Sequence, residues 1–151
     1  MNLKSVDLIE EKGINYRLIE LTKRAVTVKD VIKYSKSNLD HEEICKTILV
    51  KGPSRRYYAI LLLGKDMIDS SKLKSVIGKF RIATLDEVYE VTGKGPGEVC
   101  PITLTTPLLV DKKVIAKSRI NFGSGDKLIG LEIWSKDLEK LVDYSLIDVA
   151  K

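Results

Sequence analysis

Two parts of this sequence carry residue types that can take part in chemistry: a lysine at the start of an apolar segment, and a loop rich in glycine and proline. The loop reads Gly93-Lys94-Gly95-Pro96-Gly97-Glu98-Val99-Cys100-Pro101. Its glycines permit positive φ and let another group approach the main chain, whereas its prolines fix φ and remove backbone donors. This composition predicts a shaped, semi-rigid loop. On composition alone, a surface connection between a helix and a strand is the better interpretation.

The lysine is Lys46, which precedes the apolar run Thr47-Ile48-Leu49-Val50. A lysine at the end of a core strand often extends its ammonium into solvent along its aliphatic stem, and taken alone this is the favoured interpretation. The functional interpretation is a partly desolvated ammonium that holds a phosphate, a carboxylate or a carbonyl oxygen. Both interpretations place Lys46 near the surface.

Length and composition bound the class of protein. With 151 residues, 44% of them apolar, the chain is expected to form one domain over residues 1–151 with a substantial core. No run reaches the ~18 apolar residues of a membrane span, and the charged N-terminal segment lacks the layout of a signal peptide, so a cytoplasmic location is expected. The net charge of +5 favours an anionic partner only mildly, because the basic residues are spread along the chain.

The cysteines and the histidine limit the metal and redox chemistry that the sequence predicts. Cys45, Cys100 and His41 do not form a zinc site, and a structural disulfide is not expected in a reducing compartment. We therefore expect no bound metal and no cofactor.

Hydrophobic periodicity and capping signals divide the first part of the chain into alternating helices and strands. Helices are predicted over residues 2–12, from Thr27, over 69–77 and from Thr84, with a short turn at 40–43. Strands are predicted over residues 14–21, 46–50, 57–63 and 80–83. The second and third strands are apolar on both faces, so they are expected to form a buried central hairpin.

Two further hairpins are predicted in the C-terminal part. The first joins residues 107–110 and 114–116 through Asp111-Lys112-Lys113, and the second joins 119–122 and 127–134 through Gly123-Ser124-Gly125-Asp126. Ser135 is predicted to cap a final helix, and residues 146–149 to form a closing strand. This order of elements indicates an α+β domain in which helices flank a mixed sheet.

Two motifs together resemble a known family. The run Glu43-Ile44-Cys45-Lys46-Thr47-Ile48-Leu49-Val50 resembles the "KTL(V)" strand of the YbaK/prolyl-tRNA synthetase editing-domain family, and Gly97-Glu98-Val99-Cys100-Pro101 fits its G-x-x-x-P loop. Their order and separation agree with the family, and the similarity continues through residues 92–93, 123–131 and 135–138. Because almost the whole chain is covered, it resembles a freestanding member with a partly barrel-like mixed sheet.

The resemblance implies an activity and partners. Family members hydrolyse the ester that links a wrong amino acid to tRNA, typically the tRNA for proline, so the implied partners are the aminoacylated 3′ end of tRNA and prolyl-tRNA synthetase. An aminoacyl ester is already activated, and its hydrolysis needs a positioned water, a desolvated carbonyl and a stabilised oxyanion rather than a protein nucleophile. In the family, the terminal ribose hydroxyl takes part in the reaction.

The implied site has one essential side chain, Lys46, which would anchor the tRNA 3′ end or the substrate carbonyl. The loop would present backbone N–H groups to the oxyanion or to the amino acid. The residues expected to bind substrate are Thr47, Gly97, Glu98, Val99, Cys100, Pro101, Gly123, Ser124 and Gly125. Cys100 is expected to line the pocket, Cys45 to lie in the core on the face opposite Lys46, and His41 to have no catalytic role.

The loop departs from the family pattern at Glu98 and Cys100, where relatives often carry small polar residues. The hairpin around Ser124 also lacks the histidine with which some relatives shape the pocket. Since a hydrophobic pocket separates substrates that differ by one methylene by only roughly 1–3 kcal/mol, these changes leave open which amino acid is removed.

Two other functions stay open at this point. One is a non-catalytic tRNA- or aminoacyl-tRNA-binding module that docks to a synthetase, and the other is a Schiff-base enzyme that depends on a low pKa of Lys46. Basic residues precede Lys46 and are expected either to follow acceptor-stem phosphates or to form a solvated helix face. They are Lys23, Arg24, Lys29, Lys33 and Lys36.

Overall fold

Six helices and eight strands make up the regular structure in the computed structural model, which describes residues 3–151. The helices are α1 (Lys4–Glu11), α2 (Val28–Tyr34), α3 (Ser70–Ile77), α4 (Leu85–Thr92), α5 (Lys112–Ile115) and α6 (Leu138–Leu141). The strands are β1 (Tyr16–Glu20), β2 (Cys45–Lys51), β3 (Tyr57–Leu63), β4 (Arg81–Ile82), β5 (Leu108–Asp111), β6 (Arg119–Asp126), β7 (Ile129–Trp134) and β8 (Ser145–Ile147). Over this part of the chain, none of the helices combines the length and the apolar character needed to cross a bilayer.

Local signals explain where several helices begin and end. Thr27 caps α2 and Thr84 caps α4, each through a capping box with the acidic residue three positions later. The Asp69 side chain accepts from the Lys72 N–H at the start of α3, and Gly93 ends α4 in the left-handed conformation at φ 71°. These predicted boundaries are confirmed.

The strands form two sheets. A mixed sheet has the order β4-β2-β3-β5-β8, in which the pairs β3–β5 and β5–β8 are parallel, and an antiparallel sheet has the order β1-β7-β6. An isolated bridge between Ile44 and Asn121 joins them. The predicted α+β class with helices flanking a mixed sheet is confirmed. Its partly barrel-like form consists, within residues 3–151, of two joined sheets that do not close.

Strands β2 and β3 are the predicted central hairpin. They pair in antiparallel register, from Cys45 opposite Leu63 to Lys51 opposite Tyr57. Strand β3 is paired with β2 and β5 along its two edges, and its two faces pack into two different core clusters, so the run Ala59–Leu63 is at most 2% exposed. Leu61 and Leu63 belong to the larger core cluster, whereas Ile60 and Leu62 belong to the cluster beneath α3.

The prediction of a hairpin around Asp111 is wrong. Strand β5 pairs with β3 and β8 in parallel, and residues 112–115 form helix α5 instead of a turn and a strand. Asp111 is fully buried: one carboxylate oxygen accepts from the N–H groups of Val149 and Ala150 at 2.9 and 3.1 Å, and the other accepts from Lys113 N–H at 3.1 Å. The residue that resembled a turn former therefore caps a helix and anchors the C-terminal segment.

Two other boundaries in this region differ from the prediction. Residues 123–126 belong to β6, with a register shift between Gly123 and Asp126, and the hairpin turns at residues 127–128 instead. Ser135 does not cap the last helix, because its hydroxyl donates to the carbonyls of Lys117 and Ser118. The partners of Ser135 are distant in the sequence, so the local pattern does not reveal them.

Glu87 ties α4 to the edge of the mixed sheet. Its carboxylate accepts from the Arg81 guanidinium at 2.6 and 2.9 Å, from Thr84 N–H at 2.9 Å and from the Tyr57 hydroxyl at 2.7 Å, with Lys51 Nζ at 3.4 Å. These donors, Arg81 above all, hold the pKa of Glu87 far below its ordinary value of 4.5. The network fixes β4 and α4, which form one side of the cavity described below.

Replacing Glu87 with glutamine should lower the melting temperature at neutral pH but hardly at all in acid. Because the folded-state pKa lies below the unfolded value, the stabilisation is present above about pH 4.5 and is lost as the pH falls toward the folded pKa. Thermal unfolding between about pH 2 and pH 8 measures this difference. Glu90→Gln on the same helix is the matched control, and a Glu87→Gln deficit that is equal at about pH 3 and pH 7 would contradict the role.

Candidate active site

A cavity of about 330 Å³ lies where the two sheets meet, between the segment before α2, strand β2, helix α4 and the glycine loop. Most of its wall is apolar. The side chains that make it so include Ile19, Leu21, Val26, Val28, Val31, Ile48, Ile82, Leu85, Val88, Val99, Leu104, Phe122 and Ile129. An apolar wall removes water from the part of a ligand that it covers, which strengthens the hydrogen bonds made there.

The polar side of the cavity is a free edge of strand β2. This strand pairs with β3 along its whole length but with β4 only at Val50 and Lys51. Five consecutive residues of β2 therefore reach the cavity, from both faces of the strand. They are Cys45, Lys46, Thr47, Ile48 and Leu49.

The direction of the backbone groups along this edge follows from two hydrogen bonds. The Ile44 carbonyl accepts from Gly64 N–H on the β3 side, and the Leu49 carbonyl accepts from Ala83 N–H on the other side. Because the N–H and C=O groups of successive residues alternate between the two edges of a strand, those of Thr47 face the same edge as those of Leu49. Among residues 3–151, the Thr47 N–H and C=O groups have no backbone partner on this edge and face the cavity.

Lys46 is partly buried and lies opposite Leu62 in the hairpin, on the face away from Cys45. Burial lowers its pKa from the ordinary 10.5, and the negative charge of Asp66 opposes this shift. Asp66 is itself paired with Lys113 at 3.5 Å. Lys46 makes no ion pair within the part of the chain that the structure describes, so its three N–H donors are available to a ligand.

Two buried polar atoms of cavity residues have no hydrogen-bond partner in the described part of the chain: Thr47 Oγ1 and Asn121 Nδ2. A buried unpaired polar group costs roughly 1–3 kcal/mol, so such groups are candidates for contact with a ligand. Asn121 and Asp126 also line the cavity, and sequence reasoning missed both as site residues. The only sequence signal for Asn121 is a polar residue between the apolar Ile120 and Phe122.

The glycine loop forms the opposite wall through Gly97 and Val99. A Cβ atom at Gly97 would collide with the Ala25 carbonyl, and one at Gly123 would lie 2.6 Å from the Val99 oxygen. Gly97 also has φ 82°. These glycines therefore allow main chain to pack directly on main chain. The sequence had suggested a different reason for them, namely access of a ligand to the backbone.

The same packing leaves donors free. Within residues 3–151, the N–H groups of Gly97 and Val99 have no backbone carbonyl partner, whereas Glu98 N–H donates to the Gly95 carbonyl at 3.2 Å. Backbone N–H groups without a carbonyl partner at a cavity wall are the kind of donor that can stabilise a developing oxyanion.

Glu98 has a different position from the one expected of a substrate-binding residue. Its carboxylate pairs with Arg24 Nη2 at 2.9 Å, and the same nitrogen donates to the Pro96 carbonyl at 3.5 Å. Glu98 is absent from the cavity wall and instead ties the loop to the segment that leads into α2.

The structure brings together Lys46, Thr47, Gly97, Val99 and Gly123 around one cavity. It places the other predicted site residues, Glu98, Cys100, Pro101, Ser124 and Gly125, outside the wall. Cys100 and Pro101 are buried, with Cys100 in the larger core cluster, and Ser124 accepts from Asp126 N–H at 3.1 Å within the β6 irregularity.

Neither cysteine has the properties of a nucleophile. Burial raises the pKa of the Cys45 thiol to about 12 and that of the Cys100 thiol to about 11. Both thiols are therefore protonated at neutral pH. His41 is exposed in the turn before β2 and is not among the residues that line the cavity.

The basic residues near α2 are partly engaged with the protein itself. Lys23 and Lys33 lie over the ring of Tyr34, with Nζ 5.9 and 5.6 Å from its centroid, and Arg24 pairs with Glu98. Lys29 and Lys36 are exposed. The predicted track for acceptor-stem phosphates remains a prediction.

Residues 22–141 match the family described as the aminoacyl-tRNA editing domain. The crystal structure of the hypothetical protein APE2540 is similar with a TM-score of 0.87 at 26% identity, covering 98% of this chain and 100% of that one. The crystal structure of a candidate trans-editing enzyme for prolyl-tRNA synthetase has a TM-score of 0.81 at 22% identity, covering 100% of this chain and 99% of that one. At that identity the second likeness shows the fold alone.

The fold is therefore that of an editing-type α+β domain. The chain belongs to the aminoacyl-tRNA editing domain family, since the match covers most of its length. The resemblance found in the sequence is confirmed.

Gly97→Ala should disrupt the cavity wall, whereas Gly93→Ala should not. Both glycines have positive φ, but a Cβ atom at Gly93 would meet nothing within 4 Å, while at Gly97 it would collide with the Ala25 carbonyl. We expect Gly93→Ala to cost about 1 kcal/mol of unfolding free energy and Gly97→Ala at least about 2 kcal/mol more. Urea unfolding measures both, and equal costs would show that close backbone packing at Gly97 is unimportant.

Proposed function

We propose that this protein is a trans-acting aminoacyl-tRNA deacylase, which hydrolyses the ester of a mischarged tRNA. Membership of the aminoacyl-tRNA editing domain family supports the substrate class. The observation that carries the proposal is the cavity itself, whose wall combines Lys46, the loop residues Gly97 and Val99 and a mainly apolar surface. The structural neighbour described as a candidate trans-editing enzyme for prolyl-tRNA synthetase favours the tRNA for proline as the carrier.

The reaction adds water to the ester carbonyl and breaks the bond to the ribose oxygen. The products are the free amino acid and a tRNA with its terminal hydroxyl restored. The N–H groups of Gly97 and Val99 stabilise the negative charge on the carbonyl oxygen, and the apolar wall desolvates the ester. Lys46 holds the 3′ end of the tRNA through a phosphate or hydroxyl oxygen. The ribose hydroxyl next to the ester assists the water, as the family resemblance implies.

The composition of the cavity wall also indicates which kind of amino acid the ester carries. The wall is mainly aliphatic, which suits an uncharged side chain of modest size. Asp126 supplies the single carboxylate among the described wall residues, and one of its oxygens already accepts from Leu128 N–H at 2.8 Å. Its other oxygen is suited to the α-ammonium group of an aminoacyl ester.

A non-catalytic aminoacyl-tRNA-binding module is the second candidate function. One observation favours it: the cavity wall, as described, contains neither a histidine nor a thiol with a lowered pKa to activate water. This alternative requires that tRNA binds without turnover.

Deacylation of a panel of tRNAs charged with alanine, serine, cysteine, threonine or proline separates the two functions. The parent should release at least one amino acid, and Lys46→Ala should slow that release by roughly 10²-fold, the size expected on removing one key donor. Lys74→Ala is the control, because this exposed lysine lies on α3 away from the cavity. Release by Lys46→Ala at the parent's rate, or no release by the parent, would overturn the proposal.

The pH dependence of deacylation provides an independent test of Lys46. Because burial lowers its pKa below 10.5, the ammonium form is lost at a lower pH than for an exposed lysine. After subtraction of spontaneous hydrolysis, the parent's rate should fall on the alkaline side. Lys46→Arg, whose guanidinium stays charged, should keep its residual rate over the same range. An identical alkaline decline in both proteins would assign the titration to another group.

A further inference from the structure

One face of the antiparallel sheet runs from the cavity to a second cleft. Gly130, Glu132 and Trp134 alternate with buried residues along β7, so they share a face, and Gly130 lines the cavity. At about 3.4 Å per residue, Trp134 lies roughly 14 Å from Gly130 along the strand. Any chain whose end occupies the cavity can follow this face toward Trp134.

The charges on this face are arranged with the carboxylates inside and the guanidinium groups outside. Glu132 accepts from Arg17 at 3.1 and 2.9 Å and lies 4.0 Å from Arg119, which also lies 3.7 Å from Glu43. The side chains of Arg17 and Arg119 are 45% and 47% exposed, against 7% for Glu132 and 11% for Glu43. Each guanidinium therefore keeps outward N–H donors for an anion.

Trp134 lies on the same face as these charged groups and adds an exposed aromatic surface. It is 43% exposed, and the Arg119 guanidinium lies 5.9 Å from the centre of its ring. An exposed indole next to guanidinium groups is the combination on which unpaired nucleobases stack.

Beyond Trp134 lies a polar cleft of about 270 Å³ with three lysines in its wall. Lys140 is engaged by the largely buried Asp137 at 3.1 Å. Lys12 and Lys136 are exposed and make no ion pair within residues 3–151. The wall residues are Lys12, Gly13, Ile14, Asn15, Trp134, Lys136, Asp137 and Lys140.

We infer that Lys12, Arg17, Arg119, Trp134 and Lys136, here called the Trp134 strip, bind the acceptor strand of the tRNA. The guanidinium and ammonium groups contact its phosphates, and Trp134 stacks on a base. The placement rests on the proposed function, because it assumes that the 3′ end occupies the cavity. At roughly 3.4 Å per stacked nucleotide, the 14 Å separation corresponds to about four nucleotides from the terminus.

Fluorescence tests this directly, because Trp134 is the single tryptophan of the chain. Titration with uncharged tRNA, and with a hairpin of its acceptor stem and 3′ end, should quench Trp134 emission. Lys12→Ala/Lys136→Ala should weaken binding ~5- to 10-fold at about 100 mM salt and reduce the slope of log K against log salt by about 1.5. Lys74→Ala/Lys79→Ala removes the same charge from exposed lysines elsewhere and should leave both quantities close to the parent's.

The outcomes separate this inference from the proposed function. Quenching with a selective loss in Lys12→Ala/Lys136→Ala supports the Trp134 strip, even if the parent cleaves no ester. Deacylation with unchanged Trp134 emission at saturating tRNA overturns the inference that the Trp134 strip binds tRNA. Equal weakening of tRNA binding in the two double variants does the same, and both results leave the proposed deacylase intact. Trp134→Phe, read by anisotropy of labelled hairpin, should retain part of the affinity, and Trp134→Ala should lose more. Equal affinity of Trp134→Ala and parent would also overturn stacking.

Discussion

The cavity depends on main chain packed directly against main chain at two glycines. At Gly97 the loop lies against the Ala25 carbonyl, and at Gly123 strand β6 lies against the Val99 carbonyl. A Cβ atom at either position would force these layers apart. The stacking of residues 24–26, the loop and β6 therefore sets the distance between the loop and the free edge of β2.

This constraint also explains why many of the polar groups at the cavity are backbone atoms. Along this edge β2 is followed by the cavity between the Ile44–Asn121 bridge and the short pairing with β4 at Val50 and Lys51, so the Thr47 backbone stays open. Outside the cavity, the Arg24–Glu98 and Arg81–Glu87 pairs hold the loop and α4 in place. Rigid backbone donors beside an apolar wall suit a reaction whose main requirement is charge stabilisation.

The sequence alone predicted the structure correctly where a residue type has one dominant structural role. The capping boxes at Thr27 and Thr84 and the apolar central hairpin were predictable from the residues themselves, whereas the expectation that Lys46 and the glycine loop share one site rested on the family resemblance. Asp111 and residues 123–126 were misassigned, because the residue types that form turns also cap helices and form strand irregularities. The contacts that decide between these roles, such as Asp111 with Val149, are distant in the chain. No local pattern indicated the Arg24–Glu98 pair or the burial of Cys100.

The central claim is that the aminoacyl ester lies between the free edge of β2 and the loop. Amide chemical shifts measured during titration with a stable amide-linked 3′-aminoacyl adenosine test it most directly. The backbone amides of Thr47, Gly97 and Val99 should show large, saturable shifts. Saturable binding that leaves these three amides unchanged while shifting residues elsewhere would contradict the account.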